Sequence, residues 1–362
     1  MKEQRKNTSI RTIINIALFF FIAIIVSVFF VFIKLTENKT EVNSNDIDFI
    51  TPQNIPQITS KLSKQLDYDN PQITEEVQQE VTILFAGDTM LARSIGDMII
   101  TGENPFKYVK DEFIKYDFVI LNLECVVSDR GAPFAGKKFT FQAPVRAIST
   151  LELSGVDIVS LSNNHTMDYG NNAFLDMIQR LDNSEIRYFG GGRDRKAAFA
   201  PLIIQRNGIS IALLAFNEPE SWVTKAGEDS AGTAWYQEDY LFDSITEAED
   251  TADVTIVVTH WGTEYSREFS GDQQIKAQKM IDAGADLIVG AHPHVIQGFE
   301  VYEGKYIYYS LGNFAFDQMP HRGDGSGKGN MLEMSIEGNG NYQTRLIPIQ
   351  LTNEGLPSLS EF

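Results

Sequence analysis

Residues able to hold a metal ion recur at one kind of place in this 362-residue chain, directly after short runs of Val, Ile and Leu. Asp88 closes ILFAGD and Glu124 closes VILNLE. Asn163, Asn164 and His165 close IVSLSNNH, His260 closes IVVTH, and His292 and His294 follow LIVGA. Each residue alone has a bland role. An Asp before a turn is ordinarily a cap or an Asx-turn, and paired asparagines are turn residues. Glu124 could be a solvated strand end, and His260 a buried histidine beside Trp261. The recurrence is what favours a shared site: four of the five histidines fall into it, and only His321 stays out. Oxygen and imidazole donors in this mixture suit Mn, Zn or Fe better than Ca or Mg. A thiolate site is excluded, because Cys125 is the only cysteine.

The chemistry such a set would perform is hydrolysis of an ester, foremost a phosphate. A bound divalent metal lowers the pKa of its water and clamps the oxygens on which charge develops. A histidine just outside the ligand set can protonate the leaving oxygen. His165 is the candidate catalytic residue, since Asn164 beside it offers a neutral carboxamide oxygen as ligand. Asn163, Glu264 and Arg146 are candidate substrate contacts. Lys137 and Lys138 add positive charge near FTFQAP, and Glu218 is a further carboxylate. Asn313 in SLGNF reads as a turn residue.

These residues must be positioned by an α/β fold. The apolar runs are apolar on consecutive residues, which suits strands covered on both faces. Helices are expected over 91–100, 105–116, 144–155, 171–183, 241–251 and 271–284, alternating with the strands. In an open α/β sheet the crevice beyond the strand carboxyl ends is where ligands bind. Toward the C-terminus KYIYYSLGNFAF, NMLEMSIEGNG and NYQTRLIPIQL read as strands joined by turns, forming a second sheet or antiparallel additions to the first. The glycine-rich HRGDGSGKGN lacks a phosphate-loop pattern.

Residues 13–33 are almost wholly apolar, and a helix of that length spans about 31 Å, the thickness of a hydrocarbon core. Residues 1–12 carry Lys2, Arg5, Lys6 and Arg11, against Lys34 alone just after the apolar run. The expectation is a single-pass signal anchor in the cell membrane, N-terminus cytoplasmic and C-terminal domain extracellular. Residues 34–79 read as an extracytoplasmic linker and 80–362 as the functional domain. The formal charge of −19 argues against nucleic acid as a partner, because phosphates are neutralised by Lys and Arg.

FAGDTML, NLECVVSD, FQAP, SNNHTMDYG, HWGTEY, GAHPHVIQ and YSLGNF, in that order from about Val81 to Phe316, resemble the poly-gamma-glutamate capsule synthesis family (CapA/PgsA). The resemblance implies a calcineurin-like metallophosphatase fold, two β-sheets sandwiched between helices, in a membrane-anchored protein. It further implies that Glu124, Asn164, His260 and His292 form one metal position, and Asp88, Met90 and His294 the other. Met90 stands where the family series expects histidine, so one metal should be firmly held and the second weak or absent. The implied partners are an anionic polymer or phosphoester substrate and membrane components of a capsule synthase complex. Two further readings remain open: a non-catalytic metal- or polymer-binding scaffold, and a phosphodiesterase or nucleotidase unrelated to capsule.

Overall fold

The computed structural model describes residues 80–360. The expected anchor and linker lie outside those residues; among the described residues no helix is long and apolar enough to cross a membrane.

The chain enters through β1 (Glu80–Thr89) and β2 (Phe118–Leu123), forms a small ribbon of β3 (Val126–Val127) and β4 (Gln142–Ala143), and returns with β5 (Ile158–Ser160) and β6 (Arg187–Phe189). β7 (Gly191–Gly192) begins another ribbon. A second sheet then starts with β8 (Leu202–Arg206) and β9 (Ile209–Asn217), and β10 (Gly232–Thr233) pairs back to β7. β11 (Val254–His260), β12 (Leu287–Ala291), β13 (Phe299–Tyr302) and β14 (Lys305–Tyr308) complete that sheet. The chain crosses back with β15 (Asn313–Ala315), parallel to β1, and β16 (Lys328–Glu337), β17 (Tyr342–Leu351) and β18 (Pro357–Leu359) follow antiparallel. The two orders are β18-β17-β16-β1-β2-β5-β6, with β15 beside β1, and β13-β14-β12-β11-β9-β8. The C-terminal strands thus extend the first sheet rather than forming one of their own.

Side-chain alternation along a strand explains the layers. In β1, Ile83 and Phe85 join Ile211, Leu213, Ile256, Val258 and Val289 in a core between the sheets. Leu84 and Ala86 face the other way, onto Ile95, Ile99, Leu151, Phe174 and Met177. On the far side of the second sheet, Leu214, Phe216, Val257 and Ile288 pack with Leu241, Ile245, Ala277 and Met280. The result is the expected helix–sheet–sheet–helix sandwich.

The helices Arg93–Thr101, Ala147–Ser154, Gly170–Asp182, Glu238–Glu249 and Gly271–Asp282 stand where the pattern places them. The expected helix over 105–116 is mostly turns, with only Lys110–Phe113 helical. The backbone there closes tight turns instead, the N–H of Lys107 bonding the Asn104 carbonyl at 3.2 Å and that of Val109 the Phe106 carbonyl at 2.9 Å, and an i→i−4 bond first forms at Lys110. Two short helices, Arg195–Phe199 and Ser221–Thr224, carry too few residues to show a period.

Candidate metal centre

The carboxyl ends of β1 and β2 from the first sheet and of β11 and β12 from the second converge on one buried cluster. Register puts Asp88 beside Asn122 and His260 beside Ala291. Asp88 can sit this deep because Gly87 precedes it: a Cβ there would lie 2.0 Å from the carbonyl oxygen of Gly312, and only glycine permits that approach. His292 and His294 lie in the turn just beyond β12 and both adopt left-handed backbone, with φ 94° and 57°. Such conformations cost on the order of 1–3 kcal/mol each and persist where surrounding contacts impose them.

Those contacts are visible. The N–H of His292 donates to Asp88 Oδ2 at 3.2 Å, and Nδ1 of His294 lies 3.2 Å from the same oxygen. Nδ1 of His294 also meets Asn313 Oδ1 at 2.9 Å, while the Asn313 amide donates to the carbonyls of His294 and Ser326. The Asn313 oxygen is therefore an acceptor, the proton of His294 sits on Nδ1, and Nε2 is left facing Glu124 at 3.6 Å. His260 is gripped on both ring nitrogens: Nδ1 by the Asn122 amide at 3.1 Å, Nε2 by Asn164 Oδ1 at 2.9 Å and His292 Nδ1 at 3.1 Å.

Asp88, Glu124 and His260 each offer a ligand atom within 4.8 Å of the others. Both carboxylate oxygens of Glu124 are buried without a hydrogen-bond partner. Burial, then the neighbouring Asp88, push its carboxyl well above the usual range. Burial likewise holds His260 well below the ordinary histidine range and His292 at about 3, so both imidazoles are neutral and have lone pairs to give. For His294 the Asp88 and Asn313 contacts outweigh burial and raise it. An orphaned buried carboxylate among neutral imidazoles fits a divalent cation, which would satisfy the charge that water cannot reach.

His165 stands at the rim of this cluster. Its Nδ1 bonds Asp168 Oδ2 at 2.6 Å and its Nε2 faces Glu124 Oε1 at 3.8 Å. Phe141 covers the imidazole, ring centroids 4.1 Å apart. Burial lowers its pKa despite Asp168. Asp168 is itself held by the N–H of Phe141 at 2.7 Å and by Lys137, whose ammonium also reaches Glu220 and the carbonyl of Asn164.

The structure brings together Asp88, Glu124, Asn163, Asn164, His165, His260, His292 and His294. Asn163 is structural in its contacts: its amide donates to Asn122 Oδ1 and the Leu123 carbonyl. Glu264 is exposed on the loop after β11 and acts on Glu124 and His294 only through its charge. Arg146 is not brought to the cluster; its guanidinium donates to the carbonyl of Ile100 beside helix Arg93–Thr101. Glu218 pairs with Lys276. Met90 does not point a thioether at the cluster: it is fully buried in the helix-side core, its sulfur taking the N–H of Ala92.

Sequence reasoning missed Asn122, Asp168, Arg93 and the true role of Asn313. Asn122 had a signal, lying two residues before Glu124 on one strand face. Asp168 had one too, three residues after His165. Arg93 had none; it adopts φ 53°, pairs with Asp317, and lays its guanidinium over Phe141 at 4.7 Å. Asn313, read as a turn residue, is instead the clamp on His294.

Two mixed sheets between helices, with carboxylate, amide and imidazole side chains at the strand ends, define an α/β sandwich domain with a candidate metal centre between its sheets. The chain belongs to the bacterial capsule synthesis protein PGA_cap family, whose model matches residues 82–318. It is 31% identical over 288 residues to the capsule biosynthesis protein CapA of Bacillus anthracis, covering 77% of this chain and 69% of that one. It is 30% identical over 294 residues to the PGA biosynthesis protein CapA of Bacillus subtilis, covering 80% and 76% respectively. Among solved structures it is similar to a hypothetical protein from Thermus thermophilus (TM-score 0.48, 15% identity, 74% of this chain and 99% of that one). A 5'-nucleotidase precursor from the same organism gives a TM-score of 0.46 at 11% identity, covering 77% of this chain and 56% of that one.

Proposed function

We propose that this family member is a membrane-anchored, outward-facing protein acting in synthesis or export of an anionic capsule polymer, and that its centre is a metal-dependent phosphoester-type hydrolase. The observation that carries the catalytic part is Glu124, a fully buried carboxylate with both oxygens unpartnered, inside a cluster of neutral imidazoles. Similarity to the PGA biosynthesis protein of Bacillus subtilis supports poly-gamma-glutamate as the polymer. The charge bias around residues 13–33 supports the outward orientation.

Glu124, Asn164, His260 and His292 would hold one divalent metal, Mn, Zn or Fe by their donor chemistry; Asp88 and His294 remain for a second, and Met90 adds nothing to it. Bound there, such a metal supplies Lewis acidity and a water acidic enough to attack at neutral pH. The chain's own residues do the rest. Asp168 fixes the His165 ring by accepting from its Nδ1–H, so the lone pair on Nε2 can first take up a proton and then give it to the leaving oxygen. Lys137 holds Asp168 in place, and Phe141 keeps water off the imidazole face.

Met90 supports a second reading, a scaffold that keeps metal but not turnover. Both are tested on purified protein by measuring bound metal and hydrolysis of phosphomonoesters and phosphodiesters in wild type, His165→Ala and His292→Ala. Activity lost in both variants, with metal kept in His165→Ala, is the expected result. Metal without activity in the wild type would establish the scaffold. Absence of bound metal would sink the site.

A further inference from the structure

A second recess lies beside the metal cluster, with a volume of about 470 Å³, between the turn that follows His294 and the glycine-rich loop 321–327. That size falls in the range of small-ligand sites, roughly 300–1,000 Å³. Ile296 and Pro320 form its apolar side; Arg267, Lys328 and Gln350 supply the polar one. No carboxylate lines it. Neither Arg267 nor Lys328 makes an ion pair among the described residues, although Arg322 and Arg345 nearby in sequence both do.

This is unusual in a chain of formal charge −19. Arg267 is held in place by backbone, its Nη2 donating to the carbonyl of Asp324 at 2.8 Å. Gly325 makes room for it: a Cβ there would stand 2.7 Å from that nitrogen, at a φ of 97°. The carboxylate of Asp324 is consumed by Arg322 and Ser326, so it does not neutralise Arg267. Glu264 and Glu268 share the Arg267 loop but do not line the recess.

The recess also shares a wall with the metal cluster. Asn313 bonds the carbonyl of Ser326 at 2.9 Å and that of His294 at 3.0 Å, tying the glycine loop to the histidine turn. Tyr265 lies against His294, ring centroids 5.9 Å apart, and carries the Arg322 guanidinium 3.7 Å above its ring.

We propose that this recess is a binding subsite for an acidic chain, in which Arg267 and Lys328 take successive carboxylates while Ile296 and Pro320 receive the apolar stem between them. The inference rests on the reading that the ligand is an anionic polymer, and is independent of hydrolysis. A guanidinium meets a carboxylate through two N–H groups, and the ammonium supplies a second point of charge.

The test is calorimetric binding of a short γ-linked oligoglutamate to the full chain in detergent, with and without chelator. Arg267→Glu/Lys328→Glu should weaken binding by about tenfold or more at low ionic strength, with bound metal unchanged. Lys328→Gln should give a smaller loss and Arg267→Lys partial retention, so the proposal stays testable if the double variant folds poorly. Unchanged affinity in the folded double and single variants overturns the proposal. So does binding of pyrophosphate in preference to the oligoglutamate, which would make the recess a phosphate site. Binding that survives chelator supports the subsite even where the metal centre proves inactive.

Discussion

Asn313 is bonded to His294 twice, its oxygen to Nδ1 of the ring at 2.9 Å and its amide to the main-chain carbonyl at 3.0 Å. One side chain therefore sets both the backbone turn and the tautomer of a candidate metal ligand. Partners of this kind typically change metal affinity by about 10–100-fold when removed. Asn313→Ala should lower metal affinity within that range and cost about 1–3 kcal/mol, the penalty of stranding buried polar groups. Metal titration and denaturant unfolding check the two effects. Unchanged affinity would mean that His294 takes no part in the centre.

Met90 stands in the sequence where the family series expects a ligating histidine, although its side chain turns into the core. Met90→His should raise the bound metal per chain, and should destabilise the metal-free protein by about 1–3 kcal/mol through burial of a polar ring. Metal analysis alongside thermal unfolding with and without chelator separates the two. Unchanged stoichiometry would show that the imidazole stays in the core.

Lys137 has a side chain only 3% exposed and is shared between Asp168 and Glu220. Lys137→Met should destabilise the protein by about 3–5 kcal/mol, because it leaves Asp168 buried without its counter-charge. Lys137→Arg should recover part of the loss. Urea unfolding measures both; a Met variant as stable as wild type would show that Asp168 is satisfied by His165 and Phe141 alone.

Asp324 gives a pH signature away from the metal ligands. Burial would raise its pKa, but bonds from Ser326 and Arg322 outweigh it and hold the carboxyl at about 2. A depressed folded pKa contributes stability above the unfolded value of about 3.9 and loses it as pH falls toward 2. After discounting for solvent at this partly exposed pair, the contribution is about 1 kcal/mol. Asp324→Asn should remove it, so the wild-type advantage in unfolding free energy is present at pH 5 and shrinks as pH falls below 4. An advantage independent of pH would assign it to packing.

The strands and the order of the ligands were legible because both follow from local rules. Apolar runs long enough to cross a sheet end where polar side chains begin, and that transition marked Asp88, Glu124, Asn164, His260 and His292 alike. What could not be read were partners supplied from elsewhere. Lys137 looks like any solvated base until the loop folds it under Asp168, and Asn313 looks like a turn until His294 arrives from 19 positions earlier. Arg146 shows the converse, a base near the right motif that the helix Ala147–Ser154 turns away.

The ligand set is divided between two sheets: Asp88 and Glu124 follow strands of the first, His260 and His292 strands of the second. Neither half of the chain possesses a working fragment of the centre. Its formation must wait for pairings of large sequence separation, which are the slow ones in folding. Capture of a metal there would thus be a late event that reports completed folding, and a partly folded chain would have no half-built centre to load wrongly.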